Sequence, residues 1–236
     1  RKSLLNATVQ SVTTKGKALL IFFDTGSVLY SHNQLYGRWY IKAADERPKT
    51  NRTLRVALTT ASHSALLYSA TDIFLLNALE LDQFPYLAKL GPDVLSPSIV
   101  WRDISRQLLD KRFSGRSISA LFLDQSFVAG LGNYLRSEIL FAAQVSPALR
   151  PRDLELRKVN ELARTTLILS TQSYKTGGVT NNPSTVKVLR KKGFSKSRYR
   201  FAVFGRDGKP CYRCGGNISR ISANGRRLYV CEVCQS

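Results

Sequence analysis

All four cysteines of this 236-residue chain fall between positions 211 and 234. Cys211 and Cys214 form one C-x2-C knuckle and Cys231 and Cys234 a second, with sixteen residues between the two. That spacing suits two hairpin turns closing on one tetrahedral Zn2+, with the four thiolates as its ligands. Two disulfides are the alternative, but they fit a small secreted scaffold better than a long basic chain with no other cysteine. An all-thiolate shell leaves no open position for water, so the metal is expected to hold structure rather than to do chemistry.

Charge narrows the partners. The chain carries 36 Lys+Arg against 16 Asp+Glu, a net charge of +20, while 43% of its residues are hydrophobic. It can bury a core and still present a cationic surface, which makes polyanions its natural partners. From Val186 to the C-terminus there are 13 basic and 2 acidic residues. Such a run is usually a solvated face; next to a metal-held hairpin it favours nucleic acid, because neutralised phosphates release counterions. The longest apolar run, "ALLIFF" at 18–23, is far too short for a membrane span, and "RKSLLNATVQ" lacks the apolar stretch of a signal peptide. A monomer in the cytoplasm with no membrane partner is expected. The chain has no methionine, not even at position 1, and a lost N-terminal segment is expected from that.

The hydrophobic period changes along the chain. From residue 7 to about 76 the stretches "KALLIFF", "SVLYSHN", "GRWYIK", "LRVALTT" and "SALLYSA" are short and rich in β-branched or aromatic residues, and turn-forming stretches separate them. They predict a β-sandwich or barrel. After "LGPDVLSPS" (90–98), Trp101, Ile104 and Leu108 recur at helical spacing, as do Leu156, Val159, Leu162 and Ala163. The Gly, Asn, Pro and Ser content of 173–198 argues for a loop or linker. The fold class is therefore multidomain α+β. Residues 1–95 are the β-sandwich, 96–185 the helical domain, and 186–236 a linker with the zinc finger.

Between two helical runs, "ISALFLDQSFVAGLGNYLRSEILFAA" (118–143) contains a break at Gly130 and Gly132, with Asn133 where a helix N-cap belongs. Glycines that admit a close backbone approach, together with the unpaired N–H groups of a helix start, make a seat for phosphate. An ordinary capped helical hairpin is the other reading of the same residues.

The stretch "LDQSFVAGLGNYLRSEIL", the terminal four-cysteine module with an arginine shortly before its third cysteine, and "KGKALLIFF" with "LYSHNQLYG" occur here in one order. In that order they resemble the Fpg/Nei family of DNA glycosylases, and the endonuclease VIII branch in particular, over almost the whole chain. The resemblance implies a β-sandwich, a helix-two-turns-helix domain and a zinc finger. It also implies a repair enzyme that removes oxidised bases from double-stranded DNA and cleaves the abasic site by β/δ-elimination. Pyrimidine lesions are favoured, because "SHNQLYG" stands where the purine-directed branch carries a methionine motif.

The resemblance also assigns roles. Gln34, Leu35 and Tyr36 match the wedge that fills the gap left by a flipped nucleotide. Lys17 matches a lysine that contacts the backbone at the lesion and supplies a proton in β-elimination. Arg226, five residues before Cys231, matches the zinc-finger arginine linked to δ-elimination, with Arg227 its nearest competitor. Asn133 carries over as a phosphate contact. Lys89 stands where the branch has a DNA-contacting arginine, and keeps the charge without the planar fork. Asp124 and Glu138 flank the glycine turn and are left out of the catalytic set. The family nucleophile is the amine of an N-terminal proline, and "RKSLLN" offers no counterpart. A damaged-DNA-binding protein of the same fold without catalysis is the alternative; an RNA-binding zinc ribbon is a weaker one.

Overall fold

The computed structural model describes residues 4–235. Arg1, Lys2 and Ser3, the start of the "RKSLLN" opening that offers no counterpart of the family nucleophile, lie outside them, as does Ser236. The chain divides into two compact units, 1–89 and 90–236.

The first unit is a sandwich of two antiparallel sheets. One has the order β1 (Val9–Lys15), β2 (Ala18–Phe23), β3 (Ser27–His32), β7 (Asp72–Asn77); the other has the order β4 (Arg38–Ala43), β6 (His63–Tyr68), β5 (Leu54–Thr59). Alternate residues explain the layering. Ile21, Phe23 and Leu29, joined by Leu19, Ile73 and Leu75, pack from the first sheet against Trp39, Val56 and Leu58 of the second. The other face of β3 is covered too. The Tyr30 ring packs tilted against Phe84 with centroids 4.8 Å apart, and Phe74 meets the same ring at 5.3 Å. Phe84 sits between a 3-10 turn (Ala78–Gln83) and the short helix α1 (Pro85–Ala88), so this small segment caps the sheet.

The second unit is helical and ends in a hairpin. Its elements are α2 (Trp101–Leu109), α3 (Ile118–Leu121), α4 (Asn133–Ala142), a 3-10 turn (Pro151–Asp153), α5 (Leu156–Lys175), α6 (Pro183–Lys191), α7 (Lys196–Tyr199), β8 (Ser219–Ala223) and β9 (Arg226–Val230). The buried residues of α5 are Val159, Leu162, Ala163, Thr166, Leu169, Ser170 and Ser173, one face at helical spacing. Ile104, Leu108, Leu131, Ile139 and Leu162 are fully buried in one core. Truncating such a residue, Ile139→Ala for example, costs about 2–5 kcal/mol. A smaller cluster of Phe141, Val203, Ile218, Tyr229 and three of the cysteines seats the terminal hairpin on α4.

Two expectations need correction. Residues 173–198 are not a linker: α5 runs to Lys175, and α6 and α7 follow within the stretch. The Asn182 side chain accepts from the N–H of Ser184 and Pro183 occupies the first helical position, a strong start signal. The residue at the N-cap of α4 is Gly132, not Asn133, which is already helical. The sandwich also has two strands beyond those read from the sequence, β1 and β7. The compact division falls after Lys89, and the helices and the zinc hairpin share one unit.

Candidate nucleic-acid interface

In the second unit the glycine turn is built tightly. A Cβ on Gly91 would lie 2.4 Å from the carbonyl oxygen of Ser126, so the 91–94 segment can run beside the turn only with glycine there. Gly130 adopts φ +95°. The Gln125 side chain braces the turn by accepting from the Gly130 N–H at 3.1 Å and donating to the Leu131 carbonyl at 3.0 Å. Asp124 accepts from the Ser126 N–H and from Arg116. Burial opposes its ionisation, but the Ser126 and Arg116 bonds outweigh it and hold the carboxyl below its usual range.

Helix α4 then begins with no side chain capping it. Its first N–H groups and the positive end of its dipole form an anion-attracting start. Asn133 turns sideways. Its Nδ2 donates to the Arg227 carbonyl at 2.9 Å, and its Oδ1 accepts from Arg136 at 2.8 Å.

Arg136 is completely buried, and the sequence reading missed it. Its guanidinium donates to the carbonyls of Ser119, Ala223 and Arg227 at 3.2, 3.3 and 3.4 Å. None of these partners is a carboxylate. Burial pulls its pKa down to about 10, and the neighbouring Arg226 charge adds to the shift. The guanidinium bonds carbonyls on both sides of the hairpin tip, those of Ala223 and Arg227.

That tip is a two-residue turn. Ala223 pairs with Arg226, and Asn224 and Gly225 between them take φ 55° and 69°, as an Asn-Gly type I′ turn requires. Arg226 is thus the first residue of β9 and is exposed. The structure therefore brings Asn133 and Arg226 to one corner, with the open start of α4 and the buried cation beside them.

At the other end of the hairpin the four cysteine sulfurs lie within 4.8 Å of one another. Cys211 and Cys234 are 4.0 Å apart and Cys214 and Cys231 3.4 Å. Both distances are too long for disulfides and bracket the ~3.8 Å edge of a tetrahedron with Zn–S bonds of about 2.3 Å. The donor set fits one structural zinc. Gln235 ties the site to the helices, accepting from the Cys231 N–H and donating to the Val145 carbonyl.

In the first unit, Lys17 is exposed in the Gly16-Lys17 turn between β1 and β2, with Gly16 at φ 61°. Register does the positioning here. Ala18 pairs with His32 and His32 with Asp72, so Lys17, the end of β3 and the start of β7 share one end of the sheet. The "QLY" turn leaves from that end. Leu35 and Tyr36, adjacent at the tip, are 82% and 68% exposed. Gln34 folds back instead, donating to Asp72 at 2.8 Å and accepting from Thr71 at 2.9 Å. Lys89 is exposed and closes α1.

The β-sandwich and the helix-turn-helix with its glycine turn match the two main domains of a DNA glycosylase, and the four-thiolate hairpin matches a zinc finger that such an enzyme carries. Residues 1–73 match the formamidopyrimidine-DNA glycosylase N-terminal domain, 90–183 the H2TH domain of the same glycosylase, and 208–236 the zinc finger found in FPG and IleRS. Endonuclease 8 of Salmonella arizonae is 42% identical over 227 residues, covering 96% of this chain and 83% of that protein. Endonuclease 8 of Escherichia coli is 41% identical over 235 residues, covering 100% and 86%. The fold is that of the Lactococcus lactis formamidopyrimidine-DNA glycosylase bound to DNA containing an abasic site. That match has a TM-score of 0.79 at 23% identity and covers 97% of this chain and 82% of that one. The chain belongs to the Fpg/Nei family of DNA glycosylases, enzymes of base-excision repair. Among the described residues, no helix is long and apolar enough to cross a membrane.

Proposed function

We propose that this chain works as an endonuclease VIII type enzyme on oxidised bases, pyrimidines above all, in double-stranded DNA. It acts as a cytoplasmic monomer without a membrane partner. Residues 1–95 carry the wedge and Lys17, 96–185 the glycine turn, and 186–236 the zinc finger with the phosphate-binding arginine.

The chemistry distributes over these residues. A base inside a duplex cannot be reached, so the nucleotide is rotated out and the gap is filled by Leu35 and Tyr36, with Gln34 facing the orphaned partner base. Lys17 contacts the backbone at the lesion and donates a proton during β-elimination. Asn133 and the start of α4 take a flanking phosphate, and Lys89 adds a charge contact. Arg226 binds the phosphate around the lesion and supports the second, δ-elimination step. The attacking amine of the family is assigned to no residue of this chain. The zinc holds the hairpin and takes no part in bond making.

The observation that supports this reading is the joining of the zinc hairpin to the α4 start through Asn133 and Arg227, next to the exposed Arg226 that opens β9. Affinity for a duplex with an uncleavable tetrahydrofuran abasic-site analogue, measured against salt, tests it. Arg226→Ala should weaken binding and reduce the salt slope by about one unit. An unchanged slope would remove Arg226 from the phosphate-binding set.

A further inference from the structure

Gln34 is held differently from the two residues that follow it. Leu35 and Tyr36 extend into solvent, whereas both ends of the Gln34 amide are bonded to the start of β7. Nε2 donates to Asp72 Oδ2 at 2.8 Å, and Oε1 accepts from the Thr71 hydroxyl at 2.9 Å. The backbone is fixed as well. Gln34 takes φ 49°, its N–H donates to His32 Nδ1 at 3.2 Å, and Gly37 N–H closes the turn on the Asn33 carbonyl at 2.7 Å.

The chemistry of the two partners decides the direction of the amide. An ionised carboxylate only accepts hydrogen bonds, so Asp72 requires the NH2 end of Gln34 and repels the carbonyl end. Thr71 then donates to the oxygen. With its polarity fixed, the amide keeps one N–H and one carbonyl lone pair to offer, in a set left-to-right order. Base edges present donors and acceptors in different orders, so an amide of fixed polarity distinguishes partners that a freely flipping one would treat alike.

We propose that Thr71 and Asp72 are positioning residues which lock the polarity of the Gln34 amide and so set the preference for the base opposite the lesion. This rests on the reading of Gln34 as the residue facing that base. Neither residue touches the reacting atoms; both act through Gln34.

The test is a set of dissociation constants for the tetrahydrofuran duplex with each of the four bases opposite the gap. The proteins compared are wild type, Gln34→Ala, Asp72→Asn, Thr71→Val and the Gln34→Ala/Asp72→Asn double variant. Asp72→Asn is isosteric and can face either end of the amide, so it frees the flip without emptying the site. The spread between best and worst opposite base should shrink on the order of five- to tenfold in Asp72→Asn, the size of a lost base-edge pairing. Thr71→Val should shrink it less. Asp72→Asn should change nothing further in the Gln34→Ala background, since coupled residues are not additive. A spread that collapses in Gln34→Ala but stays at the wild-type value in Asp72→Asn overturns the lock and leaves the wedge standing. A spread that Gln34→Ala itself leaves intact overturns the reading of Gln34, and the lock with it.

Discussion

The side-chain amide of Asn133, at the first turn of α4, donates to the main-chain carbonyl of Arg227 in the zinc hairpin at 2.9 Å, across 94 residues of sequence. Arg136 completes the joint by donating both to Asn133 and to the same carbonyl. The position of the hairpin that carries Arg226 thus depends on a bond made from the start of α4. Asn133→Ala should cost about 1 kcal/mol of stability, plus the further cost of leaving a buried guanidinium short of an acceptor. Affinity for abasic-site DNA should fall while the zinc content stays at one per chain. Denaturant unfolding alongside metal analysis checks both.

Glu138 should be among the most sensitive positions of the second unit. Its buried carboxylate accepts from the Thr180 hydroxyl and from the N–H groups of Ala202, Val203 and Phe204, at 2.7, 2.8, 2.8 and 2.8 Å. A glutamine has one oxygen fewer and points donors at donors. Glu138→Gln is expected to destabilise the unit by about 2–4 kcal/mol. Urea unfolding should show a lower midpoint, and proteolysis should open first in the 201–210 segment.

Metal removal should act through the fold. Without zinc the four thiols lose their common partner, and the hairpin that carries Arg226 loses its base. Chelation should therefore weaken binding to abasic-site DNA, and added Zn2+ should restore it. Hydrogen exchange of the β8–β9 amides should rise in parallel, with the sandwich amides unchanged.

The sandwich should lose stability in mild acid through His32. Burial holds its pKa below the ordinary imidazole value; nearby Asp72 opposes the shift and Lys17 adds to it. Because the folded pKa is the lower one, the unfolded chain binds the proton first as pH falls. Stability is fully present above about 6.5 and is lost between that value and the lower folded one. Protonation also removes the Nδ1 acceptor of the Gln34 N–H. Urea midpoints followed by Trp39 fluorescence in a Trp101→Phe background should fall between about pH 7.5 and about pH 5. His32→Asn, which keeps an acceptor and does not titrate, should flatten that fall.

Much of this was legible in the sequence because its signals were local. Cysteine spacing gave the metal site, and hydrophobic period gave the strands from Ala18 to Tyr68, the face of α2 and, apart from Leu156, which is exposed at the first turn, the face of α5. β1 was not legible: all seven of its residues are exposed, so it shows no alternation, and only its pairing with β2 makes it a strand. α6 hid for a related reason. Leu189 is its only buried residue, leaving its Asn-Pro start as the sole signal among loop-forming neighbours. The contacts that matter most at the candidate site join residues far apart in sequence, Asn133 to Arg227 and Gln34 to Asp72. Arg136 looked like one surface cation among 36 basic residues, and burial alone distinguishes it.

Sodium borohydride trapping on abasic-site DNA, with the protein expressed from its full reading frame, addresses the enzymatic reading most directly. A lyase that forms a Schiff base at the sugar C1′ is reduced in place, so a covalent protein–DNA adduct is expected, with less of the δ-elimination product when Arg226 is replaced by alanine. A protein that binds the abasic site tightly, contains its zinc and never becomes trapped would contradict it. Such a protein would be a damage-binding relative without lyase chemistry.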